Sequence, residues 1–147
     1  MSNSSKTKEL VFNVSINKLF VQQRPGRIEL YREIVKAPLG KELNILYSPH
    51  CELLREFINN KNTMWRQVTE SRYWKLQKAF GRSDIEVLIK VKSLLWTFSS
   101  IQCSGLNKPI IVQKKSDEYF EIYDGHHRVA AFIVLNKTII PAVLYEL

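Results

Sequence analysis

Hydrophobic and polar positions follow two different periods, and these predict β-structure near both ends of the chain and helices between them. Residues 10–16 alternate apolar and polar side chains over most of their length, which predicts a first β-strand. Residues 27–36 carry apolar side chains at helical spacing, and Pro38–Gly40 ends that helix. Residues 43–47 are a short apolar-rich run that we interpret as a second strand.

The middle of the chain has the start signals of three helices. Pro49 stands at the favoured first helical position, with Ser48 before it as N-cap. Residues 66–80 predict a second helix with apolar side chains on one side and cations on a neighbouring face. Residues 83–86 are a capping-box sequence, which predicts that the longest helix begins there and covers residues 84–102.

The last part of the chain returns to β-character and contains one apolar helix. Residues 109–113 and 119–123 predict two strands joined by a polar turn, and residues 139–145 predict a final strand. The run 129–135 is apolar on every face of a helix, so we expect it to be buried. Together the elements predict an α+β fold, with a small mixed sheet packed against several helices.

Length and composition predict one compact domain. The chain has 147 residues, of which 45% are hydrophobic and 24% charged, as in ordinary globular domains. We expect residues 9–147 to form the domain and residues 1–8 to be a disordered tail. The sequence contains no membrane-spanning run and no secretory signal. Cys51 and Cys103 have no metal-type spacing and are interpreted as free thiols, so a cytoplasmic location is expected.

The charge balance favours a phosphate-bearing partner. The formal net charge is +8, and residues 61–92 alone carry +5, from eight cations against three carboxylates. Such a segment favours nucleotides or nucleic acid as partners, although a solvated helical face explains it equally well. Arg66, Arg72 and Lys75 are predicted as further anion or substrate contacts on this segment.

The strongest candidate site is the turn Asp124–Arg128, between the strand 119–123 and the apolar helix. First-turn N–H groups of a helix lack intrahelical partners and carry partial positive charge. With Arg128 and two histidines added, this helix start predicts a phosphate site. In a simpler interpretation Asp124 is only an N-cap and Gly125 only allows a sharp turn.

Two other chemistries fit this turn less well. Adjacent histidines on a helix point about 100° apart, and no third ligand is evident nearby, so a zinc or iron site is disfavoured. Nucleophilic catalysis needs a serine or cysteine beside a histidine, and none is visible. Ser48 and His50 are predicted as additional anion contacts at a second helix start, the alternative being an incidental surface histidine. We expect Tyr73 and Trp96 in the core, and Trp65 and Trp74 either there or stacked on a base.

These residues carry a family resemblance. The C-terminal part of the chain resembles the ParB/sulfiredoxin superfamily, in which a strand, a Gly-X-X-Arg turn and a helix bind nucleotide phosphates. The segments that carry the resemblance are Pro109–Val112, Tyr119–Tyr123, Asp124–Ala131 and Ile140–Val143. The resemblance implies a ParB/sulfiredoxin-like fold. It also implies that the nucleotide phosphates are contacted by Gly125, His126, His127 and Arg128.

This sequence departs from some of the family patterns, and these departures reduce the number of activities that the resemblance implies. Sulfiredoxins carry a catalytic cysteine directly after the motif glycine, where this chain has His126, so sulfinic-acid reduction is not expected. Chromosome-partitioning members continue into a helix-turn-helix domain, whereas this sequence stops at Leu147. The Asp-Gly-His-X-Arg turn is most similar to that of small-molecule kinases, such as the free-serine kinases. That likeness puts Asp124 and His126 in catalytic positions that serve the transferred phosphoryl group.

The resemblance therefore implies an enzyme that moves a phosphoryl group from ATP to a small hydroxyl-bearing metabolite. Arg128 would hold the phosphates, and Mg²⁺ would bridge them with Asp124 as a ligand or as the group that orients the acceptor. A general base is expected among Glu33, Glu42 and Glu52. The alternative is a non-catalytic or NTP-hydrolysing ParB-like regulatory module that binds DNA or another partner. A metal-dependent nuclease is a third reading, disfavoured because no carboxylate cluster for two metals is visible.

Overall fold

The sheet is built from short strands near both ends of the described chain. The computed structural model describes residues 10–60 and 62–145. Its strands are β1 (Phe12–Ser15), β2 (Leu19–Phe20), β3 (Ile110–Lys114), β4 (Phe120–Asp124) and β5 (Ile139–Leu144). They are ordered β1-β5-β3-β4-β2 across one sheet. The β1–β5 and β3–β4 pairs are antiparallel, whereas β3–β5 and β2–β4 are parallel. The predicted small mixed sheet is thus confirmed, while the expected tail lies outside the described residues.

Six α-helices pack with this sheet in the described part of the chain. They are α1 (Arg27–Ile34), α2 (Pro49–Asn59), α3 (Trp65–Thr69), α4 (Arg72–Ala79), α5 (Asp84–Ser104) and α6 (His126–Val134). The capping box at the start of α5 is confirmed, because Glu86 and Ser83 exchange side-chain to backbone hydrogen bonds. The apolar helix α6 packs against α2 and α5, and Val129, Ala130 and Ala131 are fully buried as predicted. The α+β fold class is confirmed.

The predicted second strand is wrong. Residues 45–47 form a single 3-10 turn instead, because the side-chain oxygen of Asn44 accepts a hydrogen bond of 2.9 Å from the backbone N–H of Leu46. Asn44 is itself buried, and its amide donates to the carbonyl of Asn17 at 3.1 Å. A buried asparagine that caps a turn therefore outweighs the apolar run that follows it.

The predicted helix over residues 66–80 is two helices, α3 and α4. Ser71 begins the second helix, since its hydroxyl accepts a hydrogen bond from the N–H of Trp74 at 3.1 Å and donates one to the carbonyl of Val68 at 2.6 Å. A serine of this kind favours an N-cap over a helix interior. The basic face predicted for one long helix is therefore divided between two short ones.

The prediction that Trp96 belongs to the core is also wrong, whereas Tyr73 is buried as expected. The buried stripe of α5 consists of residues spaced three or four apart: Val87, Val91, Leu94, Phe98 and Ile101. Trp96 is two residues from both Leu94 and Phe98, which on a helix is the opposite side, and it is 75% exposed. Trp74 is buried and packs edge-on against half-exposed Trp65, with ring centroids 5.1 Å apart.

Cys51 is buried, Cys103 is exposed, and both are free thiols as predicted. In the part of the chain that the structure describes, none of the helices has the length and apolar character needed to cross a membrane.

Candidate functional site

The turn from β4 to α6 is held tightly against β3. β4 ends at Asp124, Gly125 has a φ of 122°, and α6 begins at His126. A Cβ on Gly125 would lie 2.7 Å from Cγ2 and 2.9 Å from Cβ of Ile110. The backbone dihedral and the close approach both require glycine at this position.

The guanidinium of Arg128 links this turn to the start of β3. Its Nη1 donates to the carbonyl oxygens of Pro109 at 2.8 Å and Lys108 at 3.3 Å, and its Nη2 donates to Oδ2 of Asp124 at 3.2 Å. The Arg128 side chain is 12% exposed, whereas that of Asp124 is 57% exposed. Arg128 therefore has a structural role in addition to the phosphate contact that the sequence predicts.

The three histidines of the chain lie together. The ring centroid of His50 is 6.0 Å from that of His126 and 5.8 Å from that of His127. This grouping arises because His50 stands in the first turn of α2, which packs against α6. His50 is buried, so the surface-histidine alternative is wrong, and its Nδ1 has no hydrogen-bond partner in the described chain.

The local topology sets the tautomer of one of these rings. β2 and β4 are parallel neighbours, so the residues that follow them meet at one edge of the sheet. There the backbone N–H of Gln22 donates to Nε2 of His126 at 3.1 Å. A neutral ring that accepts at Nε2 carries its proton on Nδ1, which is then a hydrogen-bond donor.

All three imidazoles are neutral at pH 7. Burial lowers the pKa of His126 to about 4, with a further contribution from His127. Burial also lowers the pKa of His127 to about 4, aided by the charge of Lys90, and it brings the pKa of His50 well below its usual value. The described residues contain no group of three histidine, cysteine or acidic side chains arranged to hold a metal ion. Each neutral imidazole offers one nitrogen as a hydrogen-bond donor and the other as an acceptor.

These residues line a cavity of about 600 Å³ that is strongly basic. Six cations line it: Arg24, Arg27, Arg82, Lys90, Lys108 and Arg128. Among the described lining residues, Asp124 is the only carboxylate. An imbalance of six cations to one carboxylate around a helix N-terminus favours a polyanionic ligand.

The cavity extends along α5. Its lining includes five α5 residues, of which the first, Lys90, and the last, Ile101, are eleven residues apart and so about 16 Å apart along the helix at 1.5 Å per residue. The turn of α6 lies between these limits, because Nδ1 of His127 is 3.5 Å from Oγ of Ser93. We call one end the cation end, defined by Arg27, Arg82 and Lys90. The aromatic end, on the other side of the turn, is defined by Trp96, Ser100, Lys108 and Tyr123.

Four of the predicted additional contacts are not among the residues that line this cavity, and their role as anion or substrate contacts stays a prediction. The buried hydroxyl of Ser48 donates to Sγ of Cys51 at 3.5 Å. Arg72 forms an ion pair of 3.1 Å with Glu52 and, with Lys75, lines a separate groove beside α2. Arg66 lines neither space. Because the chain breaks into α3 and α4, these cations are carried away from the turn.

The glutamates considered as a general base also lie elsewhere. Glu52 is paired with Arg72, Glu42 accepts a hydrogen bond of 3.1 Å from the N–H of Gly40, and Glu33 is exposed on α1. A different buried acid, Glu121, accepts from the N–H of Gln23 at 2.8 Å and so fixes the segment after β2. Glu121 does not line the cavity either.

A comparison with protein families agrees with the resemblance in the C-terminal part of the chain. Residues 90–147 match the family model of the ParB N-terminal domain. Sulfiredoxin from Arabidopsis thaliana is similar in structure, with a TM-score of 0.39 and 15% sequence identity over 93% of this chain and 85% of that chain. A search of curated proteins found no match. The family match includes the β4–α6 turn and supports the ParB/sulfiredoxin resemblance there.

Proposed function

We propose that the cavity binds a nucleoside triphosphate such as ATP and that the protein transfers its terminal phosphoryl group to a small hydroxyl-bearing molecule. The observation that carries this proposal is the charge of the cavity, with six cations and one carboxylate around the first turn of α6. Free N–H groups at a helix start and nearby cations together favour phosphate oxygens. The family match over residues 90–147 supports the ParB-like turn on which the proposal rests.

In this proposal the nucleoside occupies the aromatic end and the phosphates lie at the α6 turn. Trp96 is 75% exposed and offers free ring surface. Tyr123 is 40% exposed, and one face of its ring is stacked on Tyr145 with centroids 3.9 Å apart, so only its remaining surface is open. Stacking of a base on such a ring contributes about 1–3 kcal/mol. The hydroxyl of Ser100 and the amine of Lys108, which line the same end, are available to the ribose and the phosphates.

Asp124 fits a Mg²⁺ ion that arrives on the nucleotide. It is the single carboxylate among the described lining residues, and Mg²⁺ in such sites takes one or two carboxylates together with phosphate oxygens and water. When bound, Mg²⁺ neutralises charge on the phosphates during transfer. The remaining contributions come from side chains of the cavity.

The transfer itself needs positioning and a route for one proton. The acceptor hydroxyl oxygen bonds to the terminal phosphorus, and the bond from that phosphorus to the bridging oxygen breaks, its electron pair leaving with the nucleoside diphosphate. His126 donates a hydrogen bond from Nδ1 to the transferred group, since its Nε2 is already an acceptor. The hydroxyl proton passes to His127, which is neutral at pH 7 and lies beside the turn.

The test is nucleotide turnover in the presence of a panel of hydroxyl-bearing metabolites. We expect Mg²⁺-dependent transfer that Asp124→Asn reduces at least 100-fold, by analogy with the loss of a single charge-stabilising group. Asp117→Asn is the matched control, because Asp117 is an exposed acid in the β3–β4 turn, paired with Lys114. Absence of ATP, ADP, CTP and GTP binding, each with and without Mg²⁺, would overturn the proposal.

The second candidate is a ParB-like regulatory module that binds a nucleotide and then DNA or another partner. The family match over residues 90–147 is to the ParB N-terminal domain, and the excess of cations in the cavity would hold a nucleotide without any transfer chemistry. Nucleotide binding without acceleration by any acceptor would support this candidate. Steeply salt-dependent binding to duplex DNA would identify nucleic acid as the partner.

A further inference from the structure

We propose that the cation end holds an anionic group of the second substrate, so that the acceptor carries a phosphate or a carboxylate in addition to its hydroxyl. The inference deepens the proposed function and rests on it. Arg27 comes from α1, Arg82 from the loop before α5 and Lys90 from α5, and all three line the cavity.

The cations of this end are oriented by neutral groups. The guanidinium carbon of Arg27 lies 4.2 Å from the centroid of the Phe80 ring. Nε of Arg82 donates to the side-chain oxygen of Gln77 at 2.8 Å, and Gln77 is buried. Within the described residues, Arg27, Arg82 and Lys90 form no ion pair with a carboxylate. Positioned cations without a counter-charge are suited to a ligand that brings one.

Glu86 offsets the charge of this group only in part, because it raises the pKa of Lys90 by less than burial, Arg82 and Arg27 lower it. Glu86 is one helical turn before Lys90, but its carboxylate accepts the Ser83 N–H in the capping box. Burial lowers the pKa of Arg27, and so do the charges of Arg24 and Arg82; burial, Arg82 and Arg27 likewise lower the pKa of Lys90. The cations therefore repel one another in the free protein, and a bound anion relieves that repulsion.

Two residues that line the same cavity carry buried polar atoms without a hydrogen-bond partner in the described chain. These atoms are Nδ1 of His50 and the hydroxyl of Tyr73, whose rings pack edge-on with centroids 5.0 Å apart. Leaving such a group without a hydrogen bond costs about 1–3 kcal/mol, so a polar ligand that reaches them compensates for the cost. Because the His50 ring lies about 6 Å from those of His126 and His127, such a ligand would also be close to the phosphoryl turn.

The order of residues along α5 assigns this end to the acceptor. With the nucleoside at Trp96 and the phosphates beside Ser93, the cation end at Lys90 lies beyond the terminal phosphate. In-line transfer requires the acceptor oxygen on the side of the phosphorus opposite to the leaving group. An acceptor anchored by Arg27 and Lys90 would occupy that side.

The experiment is calorimetric titration of inorganic phosphate, and separately of malonate, into protein saturated with Mg²⁺ and a non-hydrolysable ATP analogue. We expect at least one anion to bind, and Arg27→Gln or Lys90→Gln to weaken it about tenfold. The affinity for the analogue should fall by clearly less, because these two cations lie beyond its terminal phosphate and act on it only at longer range. Arg32→Gln and Lys92→Gln are matched controls, because these exposed residues remove the same charge from α1 and α5 outside the cavity. Tighter binding of phosphate indicates a phosphorylated acceptor, and tighter binding of malonate a carboxylated one.

Two results would overturn the inference. One is that neither anion binds with or without the analogue. The other is that phosphate competes with the analogue and Arg27→Gln weakens both equally, which would assign the cation end to the triphosphate. If the analogue does not bind at all, the proposed function fails separately. Phosphate binding to the free protein that Arg27→Gln abolishes and Arg32→Gln preserves would still support an anion site at this end.

Discussion

Substitution of Gly125 by alanine tests whether the turn of the candidate site is as tightly packed as the structure indicates. The alanine Cβ would lie 2.7 Å and 2.9 Å from two atoms of Ile110, and the φ of 122° is one that side-chain-bearing residues rarely adopt. The unfavourable dihedral costs about 1–2 kcal/mol, and overpacking against a buried strand typically adds about 1–3 kcal/mol. We therefore expect Gly125→Ala to lower the free energy of unfolding by about 2–5 kcal/mol.

Gly81→Ala separates the two contributions. Gly81 has a φ of 92°, but a Cβ there would meet no atom within 4 Å, so only the dihedral cost of about 1–2 kcal/mol is expected. The measurement is urea denaturation of both variants and the parent protein, followed by circular dichroism. If the two substitutions lower the unfolding free energy equally, the close approach of Gly125 to Ile110 is refuted.

Three further predictions concern the charged and titrating groups. His126 and His127 have a pKa of about 4 in the folded protein and about 6.5 in the unfolded chain, so the unfolded state binds more protons between these two pH values. The unfolding free energy should therefore fall as the pH drops from 6.5 to 4, by on the order of 3 kcal/mol per histidine. A denaturation midpoint that does not depend on pH would contradict this. Arg128→Lys should lower the unfolding free energy by about 1–3 kcal/mol in urea denaturation, because an ammonium group cannot donate at once to two carbonyl oxygens and to Asp124 as the guanidinium does. A decrease of less than about 0.5 kcal/mol would contradict the structural role of Arg128. Lys90→Gln should raise the unfolding free energy of the ligand-free protein at low salt by a few tenths of a kcal/mol after solvent screening, seen as a slightly higher melting temperature. Lys92→Gln is the neutral control, and a lower melting temperature for Lys90→Gln would contradict mutual repulsion at the cation end.

The turn of the site was predictable because its signals are local. A strand, an Asp-Gly pair, two histidines and an arginine within a few residues indicate a helix start that attracts anions, and the structure has that helix start at His126. The bonds of Arg128 to Lys108 and Pro109 could not be predicted, because they depend on the pairing of β3 with β4. Sequence patterns identify the residues of such a turn, but they do not show which of these residues stabilise the fold and which are free to bind a ligand.

The cation end could not be predicted, because its residues come from distant segments. Arg27 and Lys90 are more than sixty positions apart, and their meeting depends on where the chain breaks into α3 and α4. The sequence showed an excess of cations in residues 61–92, but it could not show which of them line the cavity. Arg82 and Lys90 do, whereas Arg66 does not. Likewise, no pattern within α2 indicates that His50 will face α6.

The division of roles within the cavity determines which substitutions can report on function. Gly125 and Arg128 hold the turn against β3, so loss of activity in their variants would not distinguish a ligand contact from a folding defect. Asp124 is half exposed, and Arg27 and Lys90 have no carboxylate partner in the described chain, so their neutral variants should fold normally. The most conspicuous motif residues are therefore the poorest functional probes, and the phosphate and acceptor proposals are best tested at Asp124, Arg27 and Lys90.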